Sequence, residues 1–128
     1  MPSDKHKLTT GSPFEAEMAY SRAVVQGDWC FVSGITGYDY VAMSLPETIA
    51  EQAENCFTTL RAVLSEAGFA MSDIVRVQYT VTDRALVEAL KPVFQTHLGE
   101  VRPAATMVIA QLIRAEMLFE VEVTAFRG

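Results

Sequence analysis

The chain has 128 residues, half of them hydrophobic and a fifth charged, which suits one globular domain with its own core and excludes disordered or fibrous classes. Ten Lys and Arg against 16 Asp and Glu give a formal charge of −6 with no basic cluster, so no surface for nucleic acid is expected. No apolar run reaches the roughly 18 residues of a membrane span and the opening MPSDKHKLTTGS lacks a signal-peptide core, so no membrane partner and a cytoplasmic address are expected.

Residues 1–16 are polar and broken by Gly11, Ser12 and Pro13, which predicts a flexible N-terminal tail leading into a domain over residues 17–128. SRAVVQ (21–26) and WCFVSG (29–34), separated by Gly27-Asp28, predict a β-hairpin. Ser44 and Glu47 have the spacing of a capping box, and a helix should follow. Its single apolar stripe runs through Ile49, Ala53, Cys56, Phe57, Leu60, Val63, Leu64 and Ala67 to Gly68, a C-terminal cap.

IVRVQYTV (74–81) alternates Val75, Val77, Tyr79 and Val81 with Arg76, Gln78 and Thr80, as a strand does. Asp83 can cap a second helix to about His97, with Leu86, Val87, Leu90, Val93, Phe94 and Leu98 inward and Gly99 as its stop. Pro92 predicts a kink or a shorter helix. Two strands, 105–112 and 117–126, joined by IRAE, complete the order β-β-α-β-α-β-β, an α+β domain with two helices on one face of a mixed sheet. The opposite face would mix Arg76, Gln78, Thr80, Glu120 and Glu122 with apolar residues, a surface that favours homo-oligomers with ligand clefts between subunits.

Cys30 and Cys56 are the only cysteines, without C-x-x-C spacing, and read as free, buried thiols rather than nucleophiles. His6 and His97 are too few and too far apart for a metal centre. Met43, Met71, Met107 and Met117 read as gap fillers or interface residues.

Four stretches, in this order and spacing, resemble the RidA/YjgF reactive-intermediate deaminases, also labelled endoribonuclease L-PSP. AYSRAVVQGDWCFVSG is similar to the family's Y-S-Q-A-V turn and F-V-S-G strand end, with Arg22 at a common glutamine. QAENCFTTLRAVLSEAG and DIVRVQYTVTD are similar to its helix–strand pair, RPAATMVIAQL to its R-P-A-R-[ST] strand, and MLFEVEVTAF to its I-E-I-E-A-I-A strand. The resemblance implies a chorismate-mutase-like α+β fold, a homotrimer with a central barrel, and a small-molecule ligand in three inter-subunit clefts. It also implies hydrolysis of enamines and imines without metal or organic cofactor, an arginine holding the substrate carboxylate and a glutamate positioning water.

The family's cleft positions fall on Tyr20, Ser33, Gly34, the strand from Pro103, and Glu120, the catalytic candidate. Its signature arginine falls on Ala105 and a common asparagine on Glu88. A methyl group offers none of the two-toothed hydrogen bonding with which arginine grips a carboxylate. Imine hydrolysis then requires Arg22, Arg102 or Arg114 to compensate, although each also reads as a solvated surface cation. A roomier, less cationic cleft favours a neutral or cationic ligand, a neutral metabolite first, and a non-catalytic regulatory or chaperone-like trimer is the other alternative.

Each retained residue has a plainer reading. Glu120 is a base toward water or an alternating polar strand position. Tyr20 closes a cleft or anchors the first strand, and Ser33-Gly34 meets a ligand or merely ends a strand. Glu122 has only the alternating-strand reading.

Overall fold

The computed structural model describes residues 5–128. It is an α+β domain built on one six-stranded sheet of order β1-β2-β3-β6-β4-β5. The strands are β1 (Lys5–Leu8), β2 (Ala23–Gln26), β3 (Trp29–Thr36), β4 (Ile74–Val81), β5 (Ala104–Ile109) and β6 (Phe119–Phe126), and the helices α1 (Pro13–Glu17), α2 (Ile49–Ala67) and α3 (Lys91–Leu98). Neighbouring strands are antiparallel except β4 and β5.

The helix and strand of strongest periodicity form as their residues dictate. Helix α2 ends on Gly68, whose φ of 85° lies where a side chain would be strained. Its N-terminal cap, however, is Thr48 with Glu51, four residues past the expected Ser44 and Glu47. Asp83 caps a 3-10 turn rather than a long helix, and α3 begins only at Lys91 with Pro92 in its first turn, where the missing N–H costs nothing. The core lies between the sheet and α2 and α3: Phe57, Leu60, Leu64, Leu90, Phe119 and Val121 are fully buried, and Phe94 stacks on Tyr79 at 4.3 Å. Gln52, also fully buried, ties the layers by donating to the Pro46 and Glu116 carbonyls and accepting from the Leu118 amide.

The expected polar tail over residues 1–16 is corrected over its described part. Residues Lys5–Leu8 add an edge strand to β2, and Ser12 caps the short helix α1. Alternation is too brief to announce a four-residue strand, and Pro13 occupies the first helical position rather than breaking order. Glu15 anchors the segment, accepting from the Thr10 amide and hydroxyl. Burial pushes its pKa up, but the Thr10 and Thr9 hydrogen bonds and the nearby Arg22 charge outweigh this and hold it below its ordinary value.

Among the described residues, α2 and α3 pack on one sheet face and leave the second open. Trp29, Phe31 and Phe126 cluster on it, 37–48% exposed, with the Trp29 and Phe126 rings 4.5 Å apart. Edge strand β5 has no fully buried residue. No helix among the described residues is long and apolar enough to cross a membrane.

Candidate functional site

The sheet register slips between Val32 and Ile35, so that Ser33 and Gly34 form a bulge in β3 where it meets β6. Bulges bend a strand and re-aim its side chains. This one opens a place for Glu120, which stands on β6 opposite Thr36 and Thr80. Glycine leaves room for it: a Cβ on residue 34 would lie 2.5 Å from the Glu120 carboxyl carbon where it now sits. Burial and the neighbouring Glu122 carboxylate push the Glu120 pKa above its ordinary value, while Arg22 pulls it partly back. A carboxylate so placed is a stronger base than one in water.

Tyr20 comes from the α1–β2 connection, its amide bonded to the Glu15 carbonyl at 3.0 Å after Ala19 turns through a φ of 57°, and its hydroxyl meets the Arg22 guanidinium that also bonds the bulge. The segment expected as a tail thus helps to position a candidate site residue. The Ser33 hydroxyl lies 3.0 Å from both the Ser21 and Arg22 carbonyl oxygens, so its proton is committed to the backbone and only its lone pairs remain for a ligand.

Arg22 is no solvated cation. It is fully buried, donating through Nη1 to the carbonyls of Ser33 (3.1 Å) and Gly34 (2.8 Å) and through Nη2 to the Tyr20 hydroxyl (3.3 Å). The rings of Tyr20 and Tyr40 lie 5.6 and 5.3 Å from its guanidinium carbon, close enough to stabilise the cation. With its donors turned inward and no exposed surface, Arg22 cannot grip a ligand carboxylate, which removes it as the compensating clamp. Arg102 is exposed at the entry to β5, and exposed Arg114 packs over the Phe14 ring.

Ala105 does not join these residues within one chain. It is in register with Val77, a core-facing residue, and therefore lies on the helix-side face, opposite Glu120. Glu88 is exposed and ion-paired with Lys91 at 2.8 Å. A cavity of about 470 Å³ adjoins the bulge on the open face, lined by Tyr20, Ser33, Phe31, Arg76, Gln78, Glu122 and Thr124 among others. Arg76 and Gln78 were legible as polar strand positions, but only the β6–β4 pairing sets them beside Tyr20. Glu122, expected only to alternate, lines this cavity as well. Among the described residues no group of three His, Cys, Asp or Glu side chains could hold a metal ion.

The pattern of the endoribonuclease L-PSP family matches residues 10–127. The chain belongs to this family. It is 29% identical to a RutC family protein of Pyrococcus abyssi, over 84% of this chain and 86% of that one. A YjgF/YER057c/UK114 family structure from Mycobacterium tuberculosis superposes with a TM-score of 0.88 at 30% identity, covering 97% of this chain and all of the other. RidA from an Antarctic Psychrobacter superposes with a TM-score of 0.82 at 30% identity, covering 94% of each chain. The L-PSP fold, with its mixed sheet and helices on one face, is thereby established for this chain, including the divergent R-P-A-A strand.

Proposed function

We propose that this L-PSP family member assembles as a homotrimer and binds or transforms a small, neutral metabolite in clefts between subunits. Tyr20, Ser33, Gly34 and Glu120 of one subunit would form one wall, and the Ala105 strand of a neighbour the other. The observation that carries this reading is the Glu120 carboxylate seated over Gly34 in the bulge, which Arg22 ties to the Tyr20 hydroxyl, while Ala105 sits on an exposed edge strand facing the other way. A second copy is what can bring that strand to the cleft. The exposed aromatic cluster of Trp29, Phe31 and Phe126 supplies apolar surface for such an assembly.

Chemically, Glu120 would accept a proton from water or from a ligand N–H or O–H group, and Tyr20 would donate to an acceptor atom. A methyl at position 105 leaves that end of the cleft without a charge for a carboxylate. Light scattering tests the assembly. A neutral-metabolite screen by thermal stabilisation tests the site: a response abolished in Tyr20→Phe and Glu120→Gln supports the reading, and a response indifferent to both rejects it.

A second reading, hydrolysis of 2-imino acids, is favoured by one observation. Arg76 lines the cavity beside Tyr20 and Ser33 and offers a cation that position 105 lacks. Under that reading purified protein accelerates 2-iminopropionate hydrolysis and Arg76→Gln abolishes it; activity appearing only in Ala105→Arg would instead favour the first.

A further inference from the structure

We propose that Arg22 is the positioning residue of this cleft: it locks the Tyr20 hydroxyl and the Ser33–Gly34 bulge in one arrangement and leaves the Tyr20 proton as the donor offered to a ligand. The inference rests on the reading of Tyr20 and Glu120 as cleft residues, and it adds how they are held. A single guanidinium reaches three of the four retained cleft residues directly, through the Ser33 and Gly34 carbonyls and the Tyr20 hydroxyl. The fourth, Glu120, rests against Gly34.

The direction of these hydrogen bonds decides the chemistry. Arginine has donors only, so Tyr20 must accept from Nη2, and its own O–H is free to point elsewhere. Burial, with the Glu15 and Glu120 carboxylates, pushes the Tyr20 pKa above its ordinary value while Arg22 pulls it partly back, so this hydroxyl keeps its proton and can donate it in a hydrogen bond. Such a donor, held to the bulge on which the Glu120 acceptor rests, fits a ligand pairing an acceptor oxygen or nitrogen with an N–H, an O–H or a bound water. It needs no ligand charge, in keeping with the methyl at Ala105.

Arg22 is fully buried, no carboxylate lies within ion-pair distance of it among the described residues, and its Nε has no hydrogen-bond partner. A buried cation of this kind is costly unless nearby groups balance it. Glu120 and Glu15 supply that balance through space, since Arg22 draws both carboxyls toward ionisation.

The test is a pH titration of the ligand-free full chain by carbon NMR, following the Glu120 carboxyl and the Tyr20 ring in wild type, Arg22→Gln and Arg22→Lys. Glu120→Gln and Tyr20→Phe assign the signals. Arg22→Gln is expected to raise both midpoints, and Arg22→Lys, which keeps the charge, to return Glu120 toward wild type. A folded Arg22→Gln with both midpoints in place would reduce Arg22 to a structural role and overturn the proposal. Should Arg22→Gln not fold, nitrogen NMR of the wild-type Arg22 side chain decides. A hindered guanidinium whose signals move in Tyr20→Phe supports the proposal, and signals indifferent to Tyr20→Phe overturn it. Because no ligand is present, either failure is distinct from a failure of the cleft to bind a metabolite.

Discussion

Substituting Gly34 by alanine tests the seat of Glu120. The added methyl would meet the Glu120 carboxyl carbon at 2.5 Å and its oxygens at 2.7 and 2.8 Å, whereas ordinary carbon contacts lie at about 3.5–4.0 Å. The carboxyl must therefore retreat by about 1 Å or more. What the methyl meets is the far end of a flexible side chain, so the backbone can stay in place. Leaving the preferred rotamer costs about 0.5–1.5 kcal/mol, and Gly34→Ala is expected to lose about 1 kcal/mol of unfolding free energy in denaturant titration. If Glu120 reacts with the ligand as proposed, the functional loss should be far larger, because a displacement of about 1 Å at a reacting group costs about 100-fold in rate. Carbon NMR provides a ligand-free check: pushed out of the bulge toward solvent, Glu120 should titrate closer to its ordinary value. An unchanged midpoint together with an undiminished ligand response would refute the seating. Complete unfolding would refute the claim that only a side chain blocks the methyl.

Other outcomes follow from the same geometry. The raised pKa of Glu120 means that the folded state holds its proton more tightly than the unfolded chain, so ionisation destabilises the fold as pH rises from about 4.5 through the folded midpoint. Glu120→Gln should accordingly melt higher than wild type above that midpoint, with the gain disappearing below pH 4.5; a gain growing toward acid pH would have the wrong sign. Burial pushes the Cys30 thiol up to about 11 and Cys56 well above its ordinary value, so native protein at pH 7.5 should resist iodoacetamide and take up two labels once unfolded. Rapid native labelling would show that the thiols are not enclosed. Phe57 is fully buried, with His97 stacked on it at 4.7 Å; Phe57→Ala should lose about 3–5 kcal/mol in denaturant unfolding, and a loss under 1 kcal/mol would contradict the packing described.

The sequence announced the parts of this fold whose physics is local. The apolar stripe from Ile49 to Ala67 with Gly68 after it, and the strand Ile74–Val81, reappear with the same bounds because period and punctuation agree, but the strand's alternation holds only from Val77 onward, since a register slip between Ile74 and Arg76 leaves Val75 exposed instead of on the core face. Thr48, rather than Ser44, became the helix cap because both have a glutamate three residues on and only the chain's path through the preceding loop selects between them. The site was legible as residue types in a familiar order, but not as an arrangement. Arg22 looked like any arginine on a hairpin, and its burial follows from the bulge at Ser33-Gly34 and the aromatic walls of Tyr20 and Tyr40. Arg76 reached the cavity because β6 inserts between β3 and β4, a long-range pairing that no local pattern encodes. Ala105 was read as the position of a missing charge from residue type alone, whereas its face was set by the parallel register with Val77.

The central claim is that the cleft joins Glu120 of one subunit to the Ala105 strand of another. It is tested most directly by mixing two populations, spin-labelled Ala105→Cys chains and isotope-labelled wild-type chains, the native thiols being shielded by burial. Mixed assemblies should show the Ser33 and Gly34 amides of the unlabelled-cysteine subunits broadened by the neighbour's spin label. Amides left sharp in assemblies shown by light scattering to contain both chains, or a chain that stays monomeric, would contradict the account.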